Sequence, residues 1–371
     1  MMSSTTCFIL NYAPHYRKTI FERLTKEASC AIYCGNKIRV DIKKIDFDVI
    51  DFSIKELQTI WFFNRIAWMK GQIGLLFSKK YSTYVLTGQP FFLSDTIFIL
   101  LSLFTKKKVL IWNHGPNGRE TFLKKLYYKV FFSTLDGAFI YSDWSKKILL
   151  QNYTINPNSL HVIYNSLDYE NHVAMRSEAV DSDYYQKKKF FKNSSLPILI
   201  FIGRLTKIKR IDLVIETVKQ LNNQGLHLNL MIIGDGPERN ALMEKANDNN
   251  SFIHFYGSCY DELENAKLLA NADLCVSPGN VGLTGIHAMS FGTPVCTHDD
   301  FTNQMPEVGA VEESKTGTFY SLKENNLGQV ITNWFTNVKD RKEIRNHCYQ
   351  KIDTFYNPNY QIKVFKEVLN K

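Results

Sequence analysis

The sequence predicts an α/β protein built from two doubly wound, Rossmann-like domains. Three observations carry this reading. Short apolar runs alternate with stretches of helical periodicity along most of the chain, the pattern of strands joined by crossover helices. Several runs end in glycine or a polar turn, and in open α/β sheets ligands sit at those carboxyl ends. The length of 371 residues is more than one ordinary core organises.

In the first half, the expected strands are 7–11, 31–33, 47–50, 84–86, 109–112, 137–140 and 161–164. Polar or glycine turns follow most of them, including Asn11-Tyr12-Ala13-Pro14-His15, Gly88-Gln89-Pro90 and Asn113-His114-Gly115-Pro116. Residues 168–196 are polar and charged and read as a connection. A second sheet is expected from strands 197–202, 228–233, 253–257, 272–276 and 295–297. The resulting plan is a first domain over 1–170, a linker over 171–196, a second domain over 197–355 and a terminal helix over 356–371, opened by Pro358. No internal repeat or low-complexity tract interrupts it.

Composition narrows the partners. A formal net charge of +9 suits nucleic acid, an anionic membrane face or phosphorylated ligands. The lysine runs at 106–108, 124–125 and 187–189 read first as solvated faces. No nucleic-acid-binding motif accompanies them, so nucleic acid is not expected. Residues 1–6 lack a secretory pattern, and the apolar run 91–104 is too short to span a bilayer and carries Asp95. The 7 cysteines are scattered and odd in number, which predicts neither a zinc site nor a disulfide framework and points to a reduced, cytosolic setting. The apolar segment 60–77 carries Trp61 and Trp68 among basic residues. It fits a buried helix of the first domain or a helix lying in a membrane interface. Two Asp-x-Asp triplets, Asp46/Asp48 and Asp181/Asp183, fall beside an expected strand and in the linker, and no His/Cys spacing predicts a metal.

The chemistry concentrates in the second half. Ser277-Pro278-Gly279-Asn280-Val281-Gly282-Leu283-Thr284-Gly285-Ile286-His287-Ala288-Met289 reads as a strand exit, a glycine-bearing loop and a helix that stops at Gly292. The first backbone N–H groups of such a helix have no intrahelical partner. With roughly half a positive charge there, the turn is suited to phosphate. Gly203-Arg204-Leu205-Thr206-Lys207-Ile208-Lys209, Gly234-Asp235-Gly236 and Tyr256-Gly257-Ser258 close three further expected strands of this sheet. These turns are expected to converge on one crevice.

The order and spacing of these turns resemble the nucleotide-sugar half of GT-B glycosyltransferases of family 4, strongly over about residues 197–320 and more weakly over the first 170. The resemblance implies that Arg204 and Lys209 hold the donor pyrophosphate, whose charge grows as the sugar departs. It implies that Gly203, Tyr256, Gly257, Ser258, Gly279, Gly282, Leu283 and Thr284 line the donor. It places His114 near the reacting sugar and Tyr16, Arg17 and Gly88 on the acceptor side, and it has the terminal helix cross back onto the first domain. The family's pair of glutamates, with seven residues between them, falls on Gly279 and His287, so both carboxylates are absent. In their place, His287 is expected to hydrogen-bond the ribose, and Asn280 to offer an amide to the donor sugar. The implied activity is metal-independent sugar transfer with retention and no cofactor. The implied acceptor is a lipid-linked or other saccharide, and the setting is bacterial capsule or O-antigen assembly. The protein would be cytoplasmic, with an anionic inner membrane face as a further partner. Two rivals remain at this point: a non-hydrolysing nucleotide-sugar epimerase, and a silent nucleotide-sugar-binding subunit.

Overall fold

The computed structural model describes residues 5–39, 42–246, 251–337 and 340–370. Positions 1–4 and 371, at the ends of the expected domain ranges, lie outside the described residues. The chain divides into two compact units, Met1–Leu167 with Asn357–Lys371, and Asp168–Tyr356.

The first unit is a seven-stranded parallel sheet. Its strands are β1 (Thr6–Leu10), β2 (Ala31–Gly35), β3 (Ile54–Leu57), β6 (Thr83–Leu86), β7 (Lys108–Asn113), β8 (Gly137–Ile140) and β9 (Leu160–Val162), in the order β3-β2-β1-β6-β7-β8-β9. A separate antiparallel hairpin, β4 (Thr59–Phe62) with β5 (Ile66–Met69), lies between β3 and β6 in sequence. The helices are α1 (Lys18–Lys26), α2 (Gln72–Leu76), α3 (Leu93–Ser102), α4 (Phe122–Ser133) and α5 (Asp143–Asn152). Strands β1, β6 and β8 are buried along their whole length, because crossover helices cover both faces and leave no polar side to alternate. Order reverses between β1 and β6, the switch point where loops part to opposite faces.

Two expectations for this unit are corrected. Residues 47–50 form a 3-10 turn at Phe47–Val49 in place of a strand, capped by Asp46, whose carboxylate accepts from Asp48 N. The segment 60–77 is a hairpin followed by the short α2, so neither helical placement holds. Its β-branched and aromatic residues pair as Ile60 with Trp68 and Trp61 with Ala67, and Phe63 and Asn64 turn the chain at positive φ (47° and 55°). Trp61 is half-buried and stacks on Phe91.

The last helix, α14 (Pro358–Leu369), belongs to this first unit. The Asn357 side chain caps it, and Pro358 occupies its first turn. Phe365 is fully buried, with ring centroids 5.5 Å from Phe8, 5.1 Å from Trp112 and 4.5 Å from Phe139. The end of the chain therefore closes one face of the sheet that the beginning of the chain opens.

The second unit is a six-stranded parallel sheet. It comprises β10 (Ile198–Ile202), β11 (Asn229–Ile233), β12 (Ile253–Gly257), β13 (Leu274–Val276), β14 (Val295–His298) and β15 (Gly317–Tyr320), in the order β12-β11-β10-β13-β14-β15. Its helices are α6 (Tyr169–Ala179), α7 (Tyr184–Lys188), α8 (Ile211–Asn223), α9 (Arg239–Ala246), α10 (Glu262–Ala270), α11 (Leu283–Ser290), α12 (Leu327–Asn337) and α13 (Arg341–Phe355). Order reverses between β10 and β13, so their following loops flank the switch point. The linker expected over 171–196 is corrected here: α6 and α7 are integral to this unit. Ala179, Tyr184, Tyr185 and Phe191 are buried, and the Tyr185 hydroxyl donates to Leu268 O at 2.9 Å. The charges that suggested a linker lie outside, where Asp181 pairs with Lys187 at 2.8 Å.

Candidate functional site

Around the switch point of the second sheet, the loops after β10, β11 and β13 and the last residue of β12 interlock backbone to backbone. Leu205 N donates to Asp235 O at 2.9 Å, Gly234 N to Gly257 O at 2.7 Å and Gly279 N to Lys209 O at 3.0 Å. The glycines are what permit this. A Cβ on Gly234 would lie 1.9 Å from Gly203 O, one on Gly236 2.3 Å from Leu205 O, and one on Gly279 1.9 Å from Ile208 O. The glutamate that the family resemblance places at 279 therefore has no room here for even its first side-chain carbon. Gly257, by contrast, is open beside its α-carbon and stands at φ +85°.

The loop after β13 is held from below by buried polar groups. Gln304 accepts from Val281 N at 2.8 Å and donates to Thr297 Oγ1 at 2.8 Å and His298 O at 3.0 Å. Tyr320 donates to Pro278 O at 2.6 Å. Gly282 then serves as the N-cap of α11 at φ 54°, ψ −152°, a conformation closed to most side chains. The Thr284 hydroxyl donates to Ile202 O at 2.8 Å, tying the first turn of α11 to the end of β10.

Lys209 reaches over this turn. Its Nζ donates to Asn280 O at 2.6 Å and to Asn280 Oδ1 at 2.9 Å. A Cβ built on Gly282 would be 3.7 Å from the same nitrogen. Burial pulls the Lys209 ammonium below its ordinary range, while the charge of Glu307 acts the other way. A cation held at the start of a helix, where the free N–H groups concentrate positive potential, makes an anion site. Asn280, expected to offer an amide to the donor sugar, is engaged by Lys209 through both its oxygens. Arg204 is exposed one residue beyond Gly203, and Leu283 is half-buried in the first turn of α11. Ser258 is exposed beyond β12, and Tyr256 donates to Glu264 Oε1 at 3.1 Å.

His287 lies one turn into α11, and its Nε2 is 2.7 Å from Glu262 Oε1. His172 of α6 brings its own Nε2 to the same oxygen at 3.0 Å. Burial alone would raise the Glu262 carboxyl, but the hydrogen bonds and charge of the two histidines outweigh it and hold the group well below the usual carboxylate range. Sequence spacing offered no sign of this cluster, because its members come from three helices far apart in the chain. Glu262 opens α10 directly after its capping residue, Asp261, so a first-turn carboxylate was the only available signal.

The remaining expected residues fall in the first unit. Gly88, at φ +65°, donates its N–H to Asp95 Oδ2 at 2.9 Å and accepts from Asn113 Nδ2 at 3.3 Å. His114 follows β7, with its ring set edge-on to Tyr141 at 5.1 Å. Arg17 donates to the Tyr141 hydroxyl at 2.5 Å, and its guanidinium lies 4.6 Å from the Trp112 ring centroid. Tyr16 is half-buried beside it. Gly88, His114 and Arg17 thus gather at the carboxyl ends of β6, β7 and β8 and in the turn after β1. The Asp-x-Asp triplets are turn devices: Asp46 accepts from Asp48 N, and Asp181 accepts from Asp183 N.

Two Rossmann-type units, each with its loops gathered at the strand ends, define the GT-B fold class. The chain superimposes on a glycosyltransferase from Rickettsia africae with a TM-score of 0.72 at 15% identity, over 99% of each chain. It superimposes on the Anabaena HepE protein in complex with UDP with a TM-score of 0.70 at 13% identity, again over 99% of each chain. Residues 196–337 match the family described as glycosyl transferases group 1. Among curated relatives, a GDP-mannose-dependent alpha-(1-6)-phosphatidylinositol dimannoside mannosyltransferase of Mycobacterium tuberculosis is 35% identical over 100 residues. That stretch covers 26% of this chain and 26% of the relative.

Proposed function

We propose that the protein transfers a sugar from a nucleotide-sugar donor to a saccharide or lipid-linked acceptor, with retention and without a divalent metal. The observation that carries this is Lys209 Nζ held by Asn280 at the start of α11, inside loops closed by Gly234 and Gly279. Fixed positive charge there is suited to a leaving nucleoside diphosphate and is preorganised before reaction. Arg204, one residue past Gly203, supplies a second cation from the rim. His114, Gly88, Tyr16 and Arg17 are assigned to the reacting-sugar and acceptor side. UDP in the complex of the similar HepE structure supports a uridine donor as the first to test. Assembly of a bacterial surface polysaccharide at the cytoplasmic membrane face is the setting we assign, and the exposed apolar and basic surface of the first unit supports it.

A second reading is favoured by one specific observation. Gly279 leaves no space for a carboxylate, and Glu262 occupies Nε2 of His287, so a silent nucleotide-sugar-binding subunit also fits. Incubation with a panel of nucleotide sugars and candidate acceptors in EDTA separates the two. Sustained release of nucleoside diphosphate supports transfer, and Arg204→Ala should then lower turnover by about two orders of magnitude. Binding of nucleotide without release under every condition supports the silent subunit, and activity that returns only with manganese would overturn the metal-free reading.

A further inference from the structure

Two imidazoles and one carboxylate converge in the second unit without being drawn together by any motif. His172 comes from α6, Glu262 from the first turn of α10 and His287 from α11. His172 Nε2 lies 3.0 Å and His287 Nε2 2.7 Å from Glu262 Oε1. All three donor atoms lie within 4.8 Å of one another. The two rings stack nearly parallel, with centroids 5.4 Å apart and planes at 23°. Phe291 packs against both, at 5.0 Å from His172 and 5.7 Å from His287.

We propose that His172, Glu262 and His287 form a binding site for a divalent late first-row cation, with zinc the foremost candidate. Two imidazole nitrogens and one carboxylate oxygen are a donor set that zinc accepts, leaving its fourth position open. Hard cations such as magnesium and calcium favour all-oxygen shells, and the paired imidazoles select against them. The geometry is close to what is needed. Around a tetrahedral zinc with bonds of about 2.0–2.1 Å, donor atoms sit roughly 3.3–3.4 Å apart. The two Nε2–Oε1 separations need to open by only tenths of an ångström, and the remaining one to settle within its present limit. Access is available, since the side chains of Glu262 and His287 are 37% and 16% exposed, whereas His172 anchors the site from inside at 3%. The ring of Phe291 gives the site an apolar wall, which strengthens charge interactions within it.

On binding, the cation replaces two N–H···O hydrogen bonds. Each imidazole gives its Nε2 lone pair to the cation and keeps one proton on Nδ1, any surplus proton passes to the buffer, and no oxidation or reduction occurs. His172 Nδ1 is buried and has no hydrogen-bond partner among the described residues. Metal-bound histidines normally have one at that nitrogen, and its loss costs about 10–100-fold in affinity. An exchangeable cation is therefore expected, not one that survives purification. The site stands apart from the transfer reading, because its occupancy is measured with no donor present.

The test uses the full chain, stripped with chelator and exchanged into buffer. Addition of Co²⁺ should produce the visible ligand-field bands of a four- or five-coordinate ion, and Zn²⁺ should abolish them by displacement. Zn²⁺, but not Mg²⁺, should raise the thermal midpoint. Glu262→Gln and His287→Gln should each weaken Co²⁺ binding at least about tenfold, and His172→Gln should do the same. Because His172 is buried, the two more exposed variants decide the matter if that one fails to fold. Absence of the bands in the wild type would show the cluster to be a hydrogen-bonded triad only. Bands that persist unchanged in Glu262→Gln and His287→Gln would place the ion elsewhere. Either result overturns the proposal.

Discussion

At position 279, the obstacle to a side chain is steric alone. Gly279 is not among the residues at positive φ, so alanine would suffer no backbone strain there, yet its Cβ would press on Ile208 O. Gly279→Ala should cost about 1–3 kcal/mol, the scale of overpacking a tight site, and Gly279→Glu at least as much. Urea denaturation measures this, and an unchanged midpoint would show that the loop relaxes freely. The close approach at the glycines was legible in the sequence, while the contact between Asn280 and Lys209 was not. Glycines mark close backbone approach, and a lysine in the loop after a strand marks charge. Whether Asn280 turns toward a ligand or toward Lys209 depends on a contact 71 residues away. His287 was likewise readable as a polar residue on α11, but its partner Glu262 was not, since nothing in the spacing ties α10 to α11.

Among the elements, the strands of the second unit were the most legible. β12 occupies Ile253–Gly257, the run expected from its glycine stop. Buried parallel strands declare themselves as short apolar runs, because both faces are covered. The hairpin of β4 and β5 was misread because Phe62 and Phe63 break the alternation at the turn, and the apolar run then mimics a helix. One consequence concerns membrane docking. Trp61 stacks on Phe91 within the unit, so the lipid-facing candidates move to α4, where Phe122 and Leu123 are 78% and 76% exposed beside Lys124 and Lys125. Replacing Phe122 and Leu123 with serine should weaken binding to anionic vesicles in a sedimentation assay and leave the melting temperature unchanged. High salt should also reduce that binding, as screening shortens to about 3 Å near 1 M. Vesicle binding that survives the double change would clear α4 of the role.

A second consequence at this scale is a pH dependence. Asp95, in the first turn of α3, is fully buried and accepts from Gln72 Nε2 at 2.7 Å and Gly88 N at 2.9 Å. Burial pushes its carboxyl from 3.8 up to about 6, against the opposing effect of those hydrogen bonds. A pKa raised by folding means that the protonated form is the one folding favours. Its contribution is complete below pH 3.8 and is lost as the pH climbs through about 6. Asp95→Asn should remove that slope. The difference between wild-type and variant urea midpoints should therefore change across this window, and a flat difference would exclude Asp95 as its source.

For the whole molecule, the two-unit plan was readable from length and alternation, but its boundaries were not. Residues 171–196 look like a tether because their charges are conspicuous, whereas their apolar residues fall in short separate groups such as Tyr184-Tyr185 and Phe190-Phe191. Tyr184, Tyr185 and Phe191 nonetheless bury against the second unit and make the segment part of its core. At the other end, α14 ties the last residues to the first strands. Phe365→Ala should cost about 3–5 kcal/mol, as loss of a buried phenylalanine does, and the loss should fall on the first unit. Hydrogen exchange would show faster exchange in β1, β7 and α14 while β10 and β11 stay protected. Equal loss in both units would mean that they unfold as one body.

The interlocked loops also bear on how such a site changes over generations. Positions 234, 236 and 279 are closed to any side chain by neighbouring backbone oxygens, so mutation there is met by lost stability before any change of ligand. Variation that survives must pass through positions the lock leaves open, such as Arg204 and Ser258. A saturation library across residues 203–287 should therefore return near-empty columns at the three glycines and broad tolerance at Ser258. Any shift in ligand choice would be traced to the rim of the crevice and not to its floor.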